Sequence, residues 1–134
     1  KELEFGKRSS FVQKDGGIVL EAEMQLKKAD KHQVSEQMNQ FAKMRKEKQP
    51  LELPSAGSVF KRPEGNYAGK LIEDCGLKGL KIGGAQVSEK HCGFIVNIEK
   101  ATACDVIDLI AHIQKTVKDN YGVELQTEVK IIGE

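Results

Sequence analysis

An α+β fold, a small mixed sheet packed with two or three helices and preceded by two strands, follows from three observations on this 134-residue chain. Two stretches, 18–26 and 123–131, alternate apolar and polar residues with the period of a strand. Two others, 34–42 and 106–117, space their apolar residues at helical intervals. No regular strand–helix–strand repeat joins them, as a parallel α/β sheet would require.

Taken in order, Glu2 to Phe5 alternates polar and apolar residues, and Asp15-Gly16-Gly17 supplies turn chemistry before a second strand over Ile18 to Leu26. That strand sets Leu20, Ala22, Met24 and Leu26 on one face and Glu21, Glu23 and Gln25 on the other. Asp30 with Gln33 three residues on reads as a helix start. Val34, Met38, Phe41 and Ala42 carry that helix to about Lys46, and Gln49-Pro50 stops it.

Residues 51–66 read as loop, punctuated by Pro54, Gly57, Pro63 and Gly65. A short helix over Ala68 to Asp74, closed by Gly76, precedes a glycine-rich stretch around a short strand at Leu80 to Ile82. The apolar run Phe94 to Ile98 suits an interior strand. Thr102 with Asp105 opens a second long helix, Val106, Ile110, Ile113 and Val117 form its stripe, and Gly122 ends it. Val123 to Ile131 is the last expected strand. The strongest boundary falls near residues 28–31, because two strands alone cannot bury a face.

Hydrophobic residues make up 39% and charged residues 31%, which supports a packed core and argues against disorder. Lys plus Arg is 21 and Asp plus Glu is 20, a net charge of +1. A dedicated nucleic-acid binder would show a basic excess. No apolar run approaches the roughly 18 residues of a membrane span. Cys75, Cys92 and Cys104 are odd in number and form no C-x-x-C pair, which points to a reducing, cytoplasmic compartment rather than a disulfide framework. The chain begins Lys-Glu-Leu-Glu-Phe without Met, so it is expected to be processed or part of a longer protein.

Several features could carry chemistry. Ser55-Ala56-Gly57-Ser58-Val59-Phe60-Lys61 presents a hydroxyl on a small-residue turn, yet it is not a nucleophile elbow. It is either a tight capped loop or a reactive hydroxyl. Gly79 to Gly84 lacks the Gly-Lys-Ser/Thr ending of a phosphate loop. Glu128 lies on the polar side of the last strand with Lys130. His91 precedes the buried-looking strand, as a strand-entry hydrogen bonder or a ligand contact. The scattered His32, His112, Cys75 and Cys104 give it no metal-ligand spacing. Lys43 to Lys48 is a basic helix end, where cations offset the helix dipole and where a diphosphate would also fit. Lys7-Arg8 reads as surface.

In order, these pieces form a succession: Lys48-Gln49-Pro50, Pro54 to Lys61, Ala68-Gly69-Lys70-Leu71-Ile72-Glu73, Gly76-Leu77-Lys78-Gly79, Gly83-Gly84-Ala85, His91, Phe94 to Asn97 and Glu128 to Gly133. The succession resembles the carboxy-terminal part of the UDP-N-acetylenolpyruvoylglucosamine reductases, and it covers essentially the whole chain. That resemblance implies a cytoplasmic flavoenzyme of peptidoglycan synthesis. Using FAD and NADPH, it would reduce the enolpyruvyl ether of UDP-N-acetylglucosamine enolpyruvate to the lactyl ether of UDP-N-acetylmuramate. Hydride would reach the terminal alkene carbon, and the adjacent carbon would need a proton.

By match to the family motif, Ser58 would be the proton donor, and Glu128 and Arg8 would stabilise the charge developing on the substrate. Arg45, Lys48, Lys78 and His91 would grip the UDP-sugar, with Arg45 and Lys48 on the diphosphate. Lys7 stands where many members have Tyr, Arg62 stands where Lys-Asn-Pro is common, and Cys92-Gly93 replaces a small residue and Asn. Residues 1–28 would be the last strands of the family's FAD-binding domain and 29–134 the substrate-binding domain. The glycine-rich FAD segment would lie upstream of Lys1, leaving this chain alone inactive and without FAD. A non-catalytic nucleotide-sugar binding module is the alternative. An interaction domain for an acidic partner or RNA is opposed by the +1 charge and the lack of interleaved aromatics.

Overall fold

A computed structural model describes residues 3–6 and 9–133, which fall into two units, 1–35 and 36–134. In the first, the Phe11 N–H donates to the Leu3 carbonyl at 2.8 Å, and a single bridge pairs Gly6 with Ser9. Helix α1 (Phe11–Asp15) is one the sequence reading does not anticipate. The Asp15-Gly16-Gly17 turn closes that helix instead of joining two strands. Gly16 is left-handed, and the Gly17 N–H reaches the Val12 carbonyl at 3.1 Å.

The two expected amino-terminal strands are not present as such. Glu2 lies outside the described residues, and Leu3 to Phe5 have no ladder. Residues 18–26 are not in a strand either, with Ile18 87%, Leu20 94% and Leu26 82% exposed. Alternation creates an apolar face, but a strand also needs a partner for its N–H and C=O groups. No such ladder forms among the described residues of this unit.

Helix α2 (Lys31–Lys48) begins where Asp30 Oδ1 accepts the Gln33 N–H at 3.1 Å. It runs slightly past the expected end and stops at Gln49 and the buried Pro50. None of its residues is buried.

In the second unit, strands β1 (Ser55–Ser58), β2 (Lys81–Ile82), β3 (Ala85–Val87) and β4 (Phe94–Asn97) form one sheet, ordered β1-β4-β3-β2. Helix α3 (Ala68–Asp74) spans the residues its pattern predicts. Every strand pair is antiparallel, which corrects the expected mixed sheet. The connections explain this. Gly83-Gly84 turns β2 directly into β3, and a short loop turns β3 into β4. The only long connection runs from β1 to β2, which sit on opposite edges and never pair.

Helix α4 (Ala103–Tyr121) packs Leu109, Ile110, Ile113 and Val117 into the core, together with Leu71, Ile72, Val87 and Ile95. Its capping box is complete. Thr102 Oγ1 accepts the Asp105 N–H at 3.1 Å, and Asp105 Oδ2 accepts the Thr102 N–H at 2.9 Å. The same carboxylate accepts the Gly84 N–H at 3.3 Å, joining the β2–β3 turn to the start of α4. These amides hold the Asp105 carboxyl below its ordinary range. The last expected strand shrinks to one bridge, Thr127 with Phe60, because Pro63 soon ends the segment it pairs with.

Candidate functional site

Between Ser55 and Ser58 the strand takes three steps while β4 takes two, pairing Ser55 with Val96 and Ser58 with Phe94. The extra residue is a β-bulge, and Gly57 at φ 85° supplies the left-handed backbone there. Ser58 ends the strand exposed, its hydroxyl donating to the Phe60 carbonyl at 3.4 Å.

Val59, buried beside it, works as a backbone bridge. Its N–H donates to the Gly93 carbonyl at 2.9 Å, and its own carbonyl accepts the Glu128 N–H at 2.7 Å. The Lys61 N–H then reaches the Gln126 carbonyl at 2.8 Å. The backbones of Ser58, Gly93 and Glu128 therefore meet at one residue. Gln114 steadies the carboxy-terminal segment, its Nε2 donating to the Leu125 carbonyl at 2.8 Å.

His91 joins this group through Gly93, whose N–H donates to Nδ1 at 3.0 Å. The ring also meets Phe94 edge-on at 5.1 Å between centroids. Lys78 follows α3 and pairs with Glu73 at 3.1 Å, a hydrogen bond that raises the ammonium's pKa. Burial pushes the neighbouring Cys92 thiol up, so it is a poor nucleophile.

Arg45 and Lys48 occupy the last turn of α2, where the Arg45 Nε donates to Gln49 Oε1 at 3.1 Å rather than to the Ser58 strand. Lys90, in the loop bearing His91, pairs at 3.4 Å with Glu52 just beyond α2. Lys43, Lys46, Glu47, Glu52 and Lys90 line a cleft of about 590 Å³ there. Arg8 and Lys7 lie outside the described residues.

The structure thus brings Ser58, His91 and the Glu128 backbone together and leaves Arg45 and Lys48 on a separate basic element. Ser88, which the sequence reading passes over, supports the His91 loop. Its signal was a serine just ahead of a polar turn, a residue type that accepts local backbone N–H groups.

An apolar groove of about 580 Å³ lies along β1, β4 and α4, but neither Ser58 nor Glu128 lines it. Among the described residues, no cluster of three His, Cys, Asp or Glu could hold a metal. The glycine-rich turn does not fit a flavin phosphate either. A side chain at Gly83 would meet the Asp105 carboxylate at 2.4 Å, and one at Gly84 the Glu99 carbonyl at 2.1 Å. Protein atoms, with a carboxylate among them, already fill that space.

An α+β domain whose bulged serine strand is clamped by its own carboxy-terminal segment is the class these features define. Residues 49–132 match the family of the UDP-N-acetylenolpyruvoylglucosamine reductase, C-terminal domain. The chain is 58% identical over 133 residues to the UDP-N-acetylenolpyruvoylglucosamine reductase of Clostridium perfringens (strain SM101 / Type A), covering 99% of this chain and 44% of that protein. It is 56% identical over 134 residues to that of Enterococcus faecalis, covering 100% and 45%.

The crystal structure of UDP-N-acetylenolpyruvylglucosamine reductase from Thermus caldophilus superposes with a TM-score of 0.75 at 38% identity, over 94% of this chain and 45% of that one. The chain belongs to the UDP-N-acetylenolpyruvoylglucosamine reductase family. It spans less than half the length of these relatives.

Proposed function

We propose that this chain is the substrate-protonating part of a reductase that converts UDP-N-acetylglucosamine enolpyruvate to UDP-N-acetylmuramate in cytoplasmic peptidoglycan synthesis. Family membership supports the reading. The observation that carries it is the Val59 bridge, which draws Ser58, Gly93 and Glu128 to one point from three separate segments. FAD and NADPH belong to the complete enzyme. Residues 1–28 end its FAD-binding domain, and 29–134 form its substrate-binding domain.

The chemistry assigned to this chain is proton delivery. Charge that builds on the carbon beside the substrate carboxylate makes that carbon basic enough to take the Ser58 hydroxyl proton. Glu128 and Arg8 polarise and stabilise the same developing charge. Arg45 and Lys48 hold the diphosphate, and Lys78 and His91 hold the rest of the nucleotide sugar. An arginine fork suits such oxygens better than a point charge.

Ser58→Ala in the complete enzyme tests the assignment. Loss of a positioned general acid costs turnover about 100- to 10,000-fold. Reduction of the flavin by NADPH, which needs no such proton, is expected to continue at its normal rate. Stopped-flow absorbance separates the two half-reactions, and unchanged substrate turnover removes Ser58 from the mechanism.

A further inference from the structure

The imidazole of His91 is exposed, yet it is held like a buried group. Its Nδ1 accepts the Gly93 N–H, and Phe94 meets its ring edge-on. Beneath it, the Ser88 hydroxyl, on a residue only 3% exposed, accepts the N–H groups of Lys90 at 3.2 Å and His91 at 3.3 Å. The Ser88 N–H donates to the Phe94 carbonyl at 2.9 Å, and the Phe94 N–H to the His91 carbonyl at 3.0 Å. The loop is therefore fixed at both ends.

Two glycines leave room for the ring. A methyl at Gly69 would stand 3.3 Å from His91 Cε1, and one at Gly93 would stand 2.9 Å from it. Neither glycine has a positive φ, so space rather than backbone conformation accounts for both. The methyl position at Gly93 is also 3.7 Å from Ser58 Oγ, so ring and hydroxyl flank the same backbone point.

Accepting at Nδ1 leaves the neutral ring with its hydrogen on Nε2. A donor held in one tautomer and one orientation loses little freedom when a ligand arrives. We propose that Ser88, Gly69 and Gly93 are positioning residues that hold His91 as a neutral Nε2–H donor beside Ser58, for an acceptor oxygen of the nucleotide sugar. This rests on the reading that Ser58 marks the substrate site.

Long-range proton–nitrogen correlation spectra of the full chain read the tautomer without substrate or turnover. An accepting Nδ1 and a protonated Nε2 in one conformer are expected; a ring protonated on Nδ1, or averaged between tautomers, overturns the proposal. In the complete enzyme, Gly69→Ala sets a methyl 3.3 Å from the ring and 3.2 Å from the Gly93 nitrogen that bonds it, and the melting temperature is measured alongside. The expected readout is a KM for the UDP-sugar raised about ten-fold, the scale of one lost hydrogen bond, with kcat within about two-fold.

The same change in a His91→Ala background should add nothing. An equal effect in both backgrounds, or no rise in KM from His91→Ala alone, refutes the positioning role. Full turnover by Ser58→Ala would instead overturn the site reading. The spectrum is independent of that assay, so the two failures are told apart.

Discussion

Residues 18–26 and 123–131 carry the same alternation of apolar and polar side chains, and their fates differ. In the carboxy-terminal stretch Leu125 is 4% exposed, Gln114 holds its carbonyl, and the Glu128 N–H is bonded to Val59. In the amino-terminal stretch Leu20 is 94% exposed and no ladder forms among the described residues. The difference lies in what each stretch is offered. Residues 59–61 present backbone groups to 126–128, whereas among the described residues nothing comparable faces 18–26 within its own unit. A face is written locally, but a strand is completed by another segment.

The contrast breaks most readily at its two leucines. Leu125→Ala should destabilise the full chain by about 2–4 kcal/mol in urea unfolding, as a core truncation does. Leu20→Ala should stay within about 0.5 kcal/mol, as exposed substitutions do. Equal losses would mean that both stretches are anchored alike.

A smaller effect sharpens the comparison. Gln114→Ala removes one hydrogen bond to Leu125 and should cost about 1 kcal/mol. Residue-resolved hydrogen exchange should then quicken at Glu128 before it quickens in α4.

The smallest effect is acid-linked. Lys118 bonds Glu124 at 2.6 Å and holds that carboxyl below its ordinary range. A value lower in the folded than in the unfolded chain contributes stability above the unfolded pKa of about 4.3, lost as pH falls through the folded value. A slight drop in the urea midpoint on acidification should therefore shrink in Lys118→Ala. An undiminished drop would assign it to other carboxylates.

How far the sequence foretells this structure depends on how local each feature is. Helix α4 is legible because its capping pair, its apolar stripe and its closing Gly122 all lie in one window. Strand β1 is not, since Ser-Ala-Gly-Ser has no strand character of its own and pairs only because Phe94 and Val96 lie alongside. The three buried residues of β3 are too few to show a period. The order of motifs singles out Ser58, Glu128 and His91, but not the Val59 backbone that gathers their segments. The Gly69 notch under His91 is likewise invisible in the chain, because it depends on the His91 turn folding back against α3, whereas Ser88 left only the weak signal of a serine before a polar turn.

The bulge in β1 has a consequence for how this motif tolerates change. Ser55 and Ser58 are an odd number of residues apart, yet they pair with Val96 and Phe94, which are an even number apart and share one side of the sheet. The strand therefore miscounts once, on purpose of geometry, before it reaches the hydroxyl. Were the same residues to pair without the bulge, Gly57 would stand opposite Phe94 and the serine would emerge through the opposite surface. Spacing here is as much a part of the chemistry as the oxygen it delivers.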